Sequence, residues 1–529
     1  MNLIDWRRRL AWNGLPVTLL GLSLALTTGI VLLRLSPLEG AAFVGLAAVF
    51  IGALIEPFVA LAAGLFLGPL KAYVSAEVPQ VPPQIGHVFI ALALASWLMK
   101  GLSKREVRVP GLRGSPVPIL LPLLAFLAVA LLSLWDAIGL LTYGLPELIK
   151  WVEMVLLVVL VQQHLTSSDV DSIGDSAFED ARRSRRRLKW LVGVLLGGGL
   201  FQALIGLWQF GLRGEGPEHF RILGGEFFRA YGTFEQPNPY AGYLGLTAAL
   251  ALGTVATLVW DHLLGERRRS AGAEGTGRVP VPARQLDWGF VAFGAGCCGA
   301  MLIALVASWS RGGWMGFGAA TLVMAVALPR KRVGSILLVL ILVVAGLGVY
   351  GSGLLPGSFV DRMTSFARDI RLEDVRGMPI NDANFAVIER LAHWQAALSM
   401  TRYDLWTGIG LGCYEAAYPM FALINWPIAL GHAHNIYLNL LAETGLTGLV
   451  VYLILWGVTF WRTWVVTRRA QGLRRAVGVG LLGAWAHLTA HHLLDNLYVN
   501  NVHLHLGVLL GLAAFLDRRT HGKSSTDDR

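Results

Sequence analysis

Three short segments of this 529-residue chain put basic side chains beside turn-forming residues, the pattern an anion-binding, proton-moving site requires. In RAYGTFEQPNPYAGYL, Arg229 stands ahead of Gly232, Pro237, Asn238 and Pro239, which together predict a tight turn. A guanidinium held there could grip a phosphate through two parallel hydrogen bonds. Taken alone, an Arg snorkelling to a membrane interface is the plainer reading. In SWSRGGWMGF, Arg311 is followed by Gly312 and Gly313, which permit close backbone approach. Arg311 falls between two apolar runs with almost no loop, so an anionic ligand or an acid such as Glu56, Asp136 or Glu153 must balance it. In GHAHNIYLNLLAETGLTGL, His434 and Asn435 precede Gly445 and Gly448. Imidazole titrates near neutrality, so His434 could take a proton from a hydroxyl or orient it; capping or packing a helix is the alternative. His432 could assist, although its alternating position predicts a different direction.

These residues need elements to hold them, and the composition says which. Apolar residues make up 55% of the chain and charged residues 15%, too little charge for a soluble protein and too much Leu, Ile, Val and Phe for a disordered one. The apolar residues fall in long runs, which predicts an all-α polytopic membrane protein. Candidate spans are 15–34, 41–55, 56–71, 87–99, 117–135, 147–163, 190–209, 239–260, 288–308, 313–329, 334–353, 443–461, 477–497 and 500–516. That is about fourteen transmembrane helices, or twelve plus a re-entrant hairpin if Glu56-Pro57 marks a hairpin tip within 41–71. The net charge of +10 sits in Arg and Lys clusters between runs, as a topology signal and not a nucleic-acid surface. Arg7 to Arg9 place the N-terminus on the cytoplasmic side with no cleavable leader expected, and counting spans from there keeps every later basic cluster on the same side. Arg229, Arg311 and His434 then all fall on the opposite, extracytoplasmic face, the first of them in loop 210–238.

Loop 354–433 is much longer than any other connection and carries six arginines against eight carboxylates, so no basic-cluster rule explains it. Its aromatic content, including Phe385, Trp394, Trp406 and Trp426, predicts an ordered cap over the site. Cys297, Cys298 and Cys413 cannot build a disulfide framework and are read as packing residues. His487, His491, His492, Asp495, His503 and His505 cluster near the last two spans, with His491 and Asp495 expected on one helical face. No HExxH or CxxC accompanies them, so polar helix packing or a groove lining is preferred to a metal, and no metal or other cofactor is expected.

Taken together and in order, these segments resemble the O-antigen ligase and O-antigen polymerase superfamily of bacterial envelope enzymes, over about 190 to 460. RAYGTFEQPN resembles its R-x-x-G-T-F-x-x-P-N block and SWSRGG its S-R-G block. ERLAHWQAALSMTRYDLWTGIGLG resembles the approach to its catalytic histidine, and HNIYLNLLAETGLTG fits its H-N-x(9)-G-x-x-G pattern. The resemblance implies a metal-independent, inverting transfer of a glycan from undecaprenyl diphosphate to an acceptor on the extracytoplasmic face of a bacterial inner membrane, with both termini cytoplasmic. It implies that Arg229 and Arg311, assisted by Arg390, hold the diphosphate, that His434 activates or aligns the acceptor hydroxyl, and that Asn238, Asn435, Gly445 and Gly448 support the motifs. The chain divides accordingly into N-terminal helices (1–189), the first half of the ligase-like core (190–353), the large outer loop (354–433), the catalytic-motif helix and span (434–461) and C-terminal helices (462–529). A flippase or transporter of lipid-linked oligosaccharide is the alternative. It would carry charges through the middle of several spans, a pattern here confined mainly to Glu147, Lys150 and Glu153.

Overall fold

In hydrocarbon every backbone N–H and C=O must be satisfied within the segment, so long apolar runs become helices. A computed structural model describes residues 36–77, 84–103, 118–166, 175–273, 286–369, 374–381 and 384–521, with isolated residues between 23 and 34. The expected first span, the cluster at Arg7 to Arg9, and parts of three basic loops lie outside the described residues. Helices α1 (Pro37–Ile55) and α2 (Pro57–Leu67) meet at Glu56, extended at φ −136 and ψ 111 with Pro57 starting the next helix. A 3₁₀ turn leads to α3 (Lys71–Glu77), followed by α4 (Ile85–Ser103), α5 (Leu120–Ser133), α6 (Leu145–Thr166) and α7 (Asp175–Gly211). A two-residue antiparallel ladder, β1 (Arg221–Ile222) with β2 (Phe227–Phe228), closes the next loop. Then come α8 (Pro237–Ala273), α9 (Trp288–Ala307), α10 (Arg311–Ala327) and α11 (Arg332–Gly351). The long segment after α11 folds into α12 (Gly357–Asp369), α13 (Phe385–Tyr403) and α14 (Tyr414–Phe421), before α15 (Ile436–Arg469), α16 (Gly472–His491) and α17 (Val502–His521).

The polar cross-links sort to two ends of the bundle. At one end Glu56 meets Lys100 and His164, Arg187 donates to the His164 carbonyl, Lys189 pairs with Asp287, Arg475 with Asp261 and Arg462 with Asp517. At the other, Thr233 donates to the Pro69 carbonyl, Asn500 to Phe234, and Asn501 to Gly68. Pro57–Glu77 therefore runs from the basic end to the opposite one and is long and apolar enough to cross a membrane.

Six helices among the described residues are long and apolar enough to cross a membrane: Pro57–Glu77, Arg182–Gly211, Pro237–Leu264, Trp288–Ala307, Arg332–Gly351 and Ile436–Arg469. The expected count of about fourteen is not reproduced by that criterion. Shorter apolar helices cover Phe43–Leu54, Ile85–Lys100 and Leu120–Ser133, and α6, α16 and α17 carry Glu147, Glu153, Arg475, His487 and His503 inside the protein. Two helices mark the extremes of packing. Along α11, Leu340, Ile341, Val344 and Leu347 face outward, whereas α16 is buried along nearly its whole length. Burial of α16 depends on backbone contact with α8: a Cβ added to Gly253 would lie 2.5 Å from Gly480 Cα. That crossing sets the height of the α16 terminus, and with it everything beyond His491.

Candidate functional site

Three loops stitched together at the end opposite the basic clusters form the site. Ala230 N donates to the Ala307 carbonyl, and Arg229 Nε donates to the Ser308 carbonyl at 2.9 Å. Asn238, at the start of α8, accepts from Ser310 Oγ at 3.0 Å and from Arg229 Nη2 at 3.4 Å. Ser310 in turn caps α10 by accepting from Gly313 N, which puts Arg311 in the first turn of that helix. Of the acids named as candidate partners of Arg311, Glu56 pairs with Lys100 and His164, and Glu153 with His87 and His503.

Arg229 is thereby held among cations. Its hydrogen bonds go to neutral oxygens, and burial, then Arg362, Arg390 and Arg311 in turn, lower its pKa to about 9. It stays charged at neutral pH, in a pocket of guanidinium groups that favours an anion. Arg362, on the strongly amphipathic α12, belongs to this group, although the sequence offers it only as one of six loop arginines. The apolar side of α12 anchors it: Phe359 stacks on Trp314 at 4.3 Å, directly after the Arg311 motif. Arg390 lies on α13, close enough to act electrostatically on Arg229, Arg362 and Asp495.

His434 is the second half of the site. Its Nδ1 lies 3.4 Å from Asp495 Oδ1, in the connection between α16 and α17. The expectation that Asp495 shares a helical face with His491 is corrected here. α16 ends at His491, and the Asp- and Asn-rich stretch that follows turns the chain so that Asp495 reaches back to His434. Burial pushes the Asp495 carboxyl up. The hydrogen bond from His434 and the charges of His434, His432 and Arg390 outweigh burial and hold it well below the usual carboxylate range. With the carboxylate accepting from Nδ1–H, His434 keeps its lone pair on Nε2. His432 Nδ1 accepts from the His434 backbone N–H at 3.1 Å, so its own proton sits on Nε2, 3.8 Å from Asp495. Burial and the charge of His434 lower the His432 pKa to about 3. His393, one turn beyond Arg390, packs edge-on to His434 at 6.0 Å and stacks on Tyr418 at 4.5 Å. Its signal was present in ERLAHW but lacked a partner in sequence.

The halves meet through α16. Gly312 abuts His491, where an added Cβ would lie 2.6 Å from the ring, and Asp495 follows one turn later in sequence. His432, His434 and Asp495 also place their ligand atoms within 4.8 Å of one another, a grouping that could hold a metal ion. The sequence cluster of late histidines therefore divides: Asp495 joins His434, His503 joins Glu153, and His487 sits buried against α8.

The supporting positions have local reasons. Asn435 caps α15 by accepting from Tyr437 N and Leu438 N. Gly445 breaks α15 at φ 65, ψ −171, which frees the carbonyls of Ala442 and Glu443 to accept from Ile409 N and Gly410 N. That ladder fixes the glycine-rich stretch behind the site, while Gly448 is buried one turn on. Replacing Gly445 by Ala should destabilise the protein by about 2 kcal/mol or more, because a Cβ there adds a left-handed penalty to a 2.4 Å clash with the Trp406 carbonyl group. Thermal unfolding in detergent checks this; an unchanged midpoint would mean the break relaxes freely. Non-glycine residues with positive φ include Glu235, Trp309 and His434, one in each motif, and such strain collects at functional sites.

The architecture and site define a multi-pass, predominantly helical membrane protein with a part-buried arginine group and a histidine–aspartate pair. Residues 296–453, from α9 to the first half of α15, match the family described as O-antigen ligase. Arg311, Arg390, His434, Asn435, Gly445 and Gly448 lie inside the matched segment; Arg229, Asn238 and Asp495 lie outside it. No curated protein matches the chain. The coarse class this supports is a membrane glycosyltransferase of the O-antigen ligase and polymerase kind.

Proposed function

We propose that the protein transfers a glycan from undecaprenyl diphosphate to an acceptor hydroxyl at the extracytoplasmic face of a bacterial inner membrane, with both termini cytoplasmic. The observation that carries this reading is Arg229, part-buried and under the charges of Arg362, Arg390 and Arg311. It lies at the same end of the protein as the His434–Asp495 pair, on whose carboxylate Arg390 also acts. His434 Nε2 takes the acceptor proton as the hydroxyl oxygen attacks the anomeric carbon. The anomeric C–O bond to the diphosphate breaks on the opposite side, so configuration inverts, and the lipid diphosphate leaves with the electron pair. Arg229, Arg311 and Arg390 stabilise the charge that builds on the leaving group. Asp495 holds the imidazole in the reactive tautomer and stabilises the imidazolium formed, which then returns its proton to solvent.

Purified protein with a lipid-linked glycan and an acceptor should form a new glycosidic bond; transbilayer movement of the donor without bond formation would support a flippase instead. In the native host, deletion should remove the whole attached polymer if the protein is a ligase, or leave single-repeat products if it is a polymerase. Because arginines, not a magnesium ion, neutralise the diphosphate in this mechanism, chelator should leave the transfer rate within about twofold. Inhibition that Mg²⁺ or Mn²⁺ relieves would overturn the metal-independent mechanism and favour a cation at His432, His434 and Asp495.

A further inference from the structure

A second cluster of ionisable side chains, part-buried at His87 and Glu153 and buried at His503, uses none of the arginines. Glu153 of α6 takes one imidazole on each oxygen: His87 Nδ1 of α4 at 2.8 Å from Oε1, and His503 Nε2 of α17 at 2.9 Å from Oε2. All three ligand atoms lie within 4.8 Å of one another. Asn501 fixes the protonation pattern. Its Nδ2 donates to the Gly68 carbonyl at 3.1 Å, so its Oδ1 is the atom facing His87 Nε2 at 2.8 Å. His87 therefore carries a proton on Nε2, and its Nδ1 faces a carboxylate. A lone pair cannot face a carboxylate oxygen at that distance, so a positive centre belongs between them: a second proton or a metal ion. Lys150 does not supply it, being held by Glu147 and the Tyr498 carbonyl.

Two imidazoles and one carboxylate are a zinc donor set, and a metal-bound histidine normally gives its other N–H to a carbonyl, as His87 does to Asn501. We propose that His87, Glu153 and His503 form a binding site for a divalent metal of the zinc class, tying together the outer parts of α4, α6 and α17. Metal binding would displace the protons between these atoms, and the three helices would be pinned where the chain has no disulfide. The site is separate from the glycan-transfer residues, so it stands whatever reaction the protein catalyses.

Metal analysis of the full-length protein, purified with and without added zinc, tests this. About one zinc per chain is expected in the wild type and in Asp495→Asn, with loss in Glu153→Gln and His503→Ala. Cobalt substitution in the wild type should give visible absorption bands of an imidazole-bound ion, and zinc should raise its unfolding midpoint. The wild-type measurements stand even if the variants fold poorly. Wild type with no stoichiometric metal and no cobalt spectrum would overturn the proposal, leaving a proton between His87 and Glu153. Retention of metal in His503→Ala together with loss in Asp495→Asn would also overturn it, moving the site to His432, His434 and Asp495.

Discussion

His434→Ala is expected to lower the rate of glycan transfer by about 10²- to 10⁴-fold while leaving binding of the lipid-diphosphate donor nearly unchanged. The separation of effects follows from position. His434 is held by Asp495 and packed against His393, whereas the guanidinium groups belong to α10, α12, α13 and the Arg229 loop. Single-turnover transfer and donor titration in nanodiscs read the two quantities separately. Loss of donor binding in His434→Ala would reassign the imidazole to the donor. Asp495→Asn should give a smaller loss of transfer, because it keeps an oxygen facing His434 but removes the charge that stabilises the imidazolium.

Arg229→Ala and Arg311→Ala are each expected to lower transfer by about 10²- to 10³-fold, with the protein still folded in the membrane. Lysine should not restore Arg229, because one planar guanidinium serves the Ser308 carbonyl and the Asn238 amide at once. Size-exclusion behaviour and the unfolding midpoint separate lost chemistry from lost structure. Arg229 loses two loop contacts on truncation, so some destabilisation accompanies that variant. Wild-type transfer in both alanine variants would remove the diphosphate clamp from the mechanism.

The motif residues were legible because each announces itself locally. Arg229, Arg311 and His434 sit beside glycines, prolines and asparagines that only a turn can accommodate, and the run of basic clusters put all three at one end of the bundle. Asp495 is visible in the sequence as a polar residue in an apolar region, but the span expected at 477–497 ends at His491 in the structure, and the turn beyond it brings Asp495 to His434. Arg362 had no local signal at all. What recruits it is the stacking of Phe359 on Trp314, a contact between segments more than forty residues apart.

Hydrophobic length and the sidedness of Lys and Arg were determined by the sequence alone, because both depend on a single segment meeting a uniform solvent, hydrocarbon or water. The pairings were decided by the tertiary structure. Whether a buried histidine faces Asp495, Glu153 or the α8 backbone depends on where helices cross, and crossings are set by close packing of small residues such as Gly253 on Gly480. Charge in a low-dielectric interior cannot be left uncompensated, so with Arg229 among other arginines an anionic ligand is the simplest partner for it.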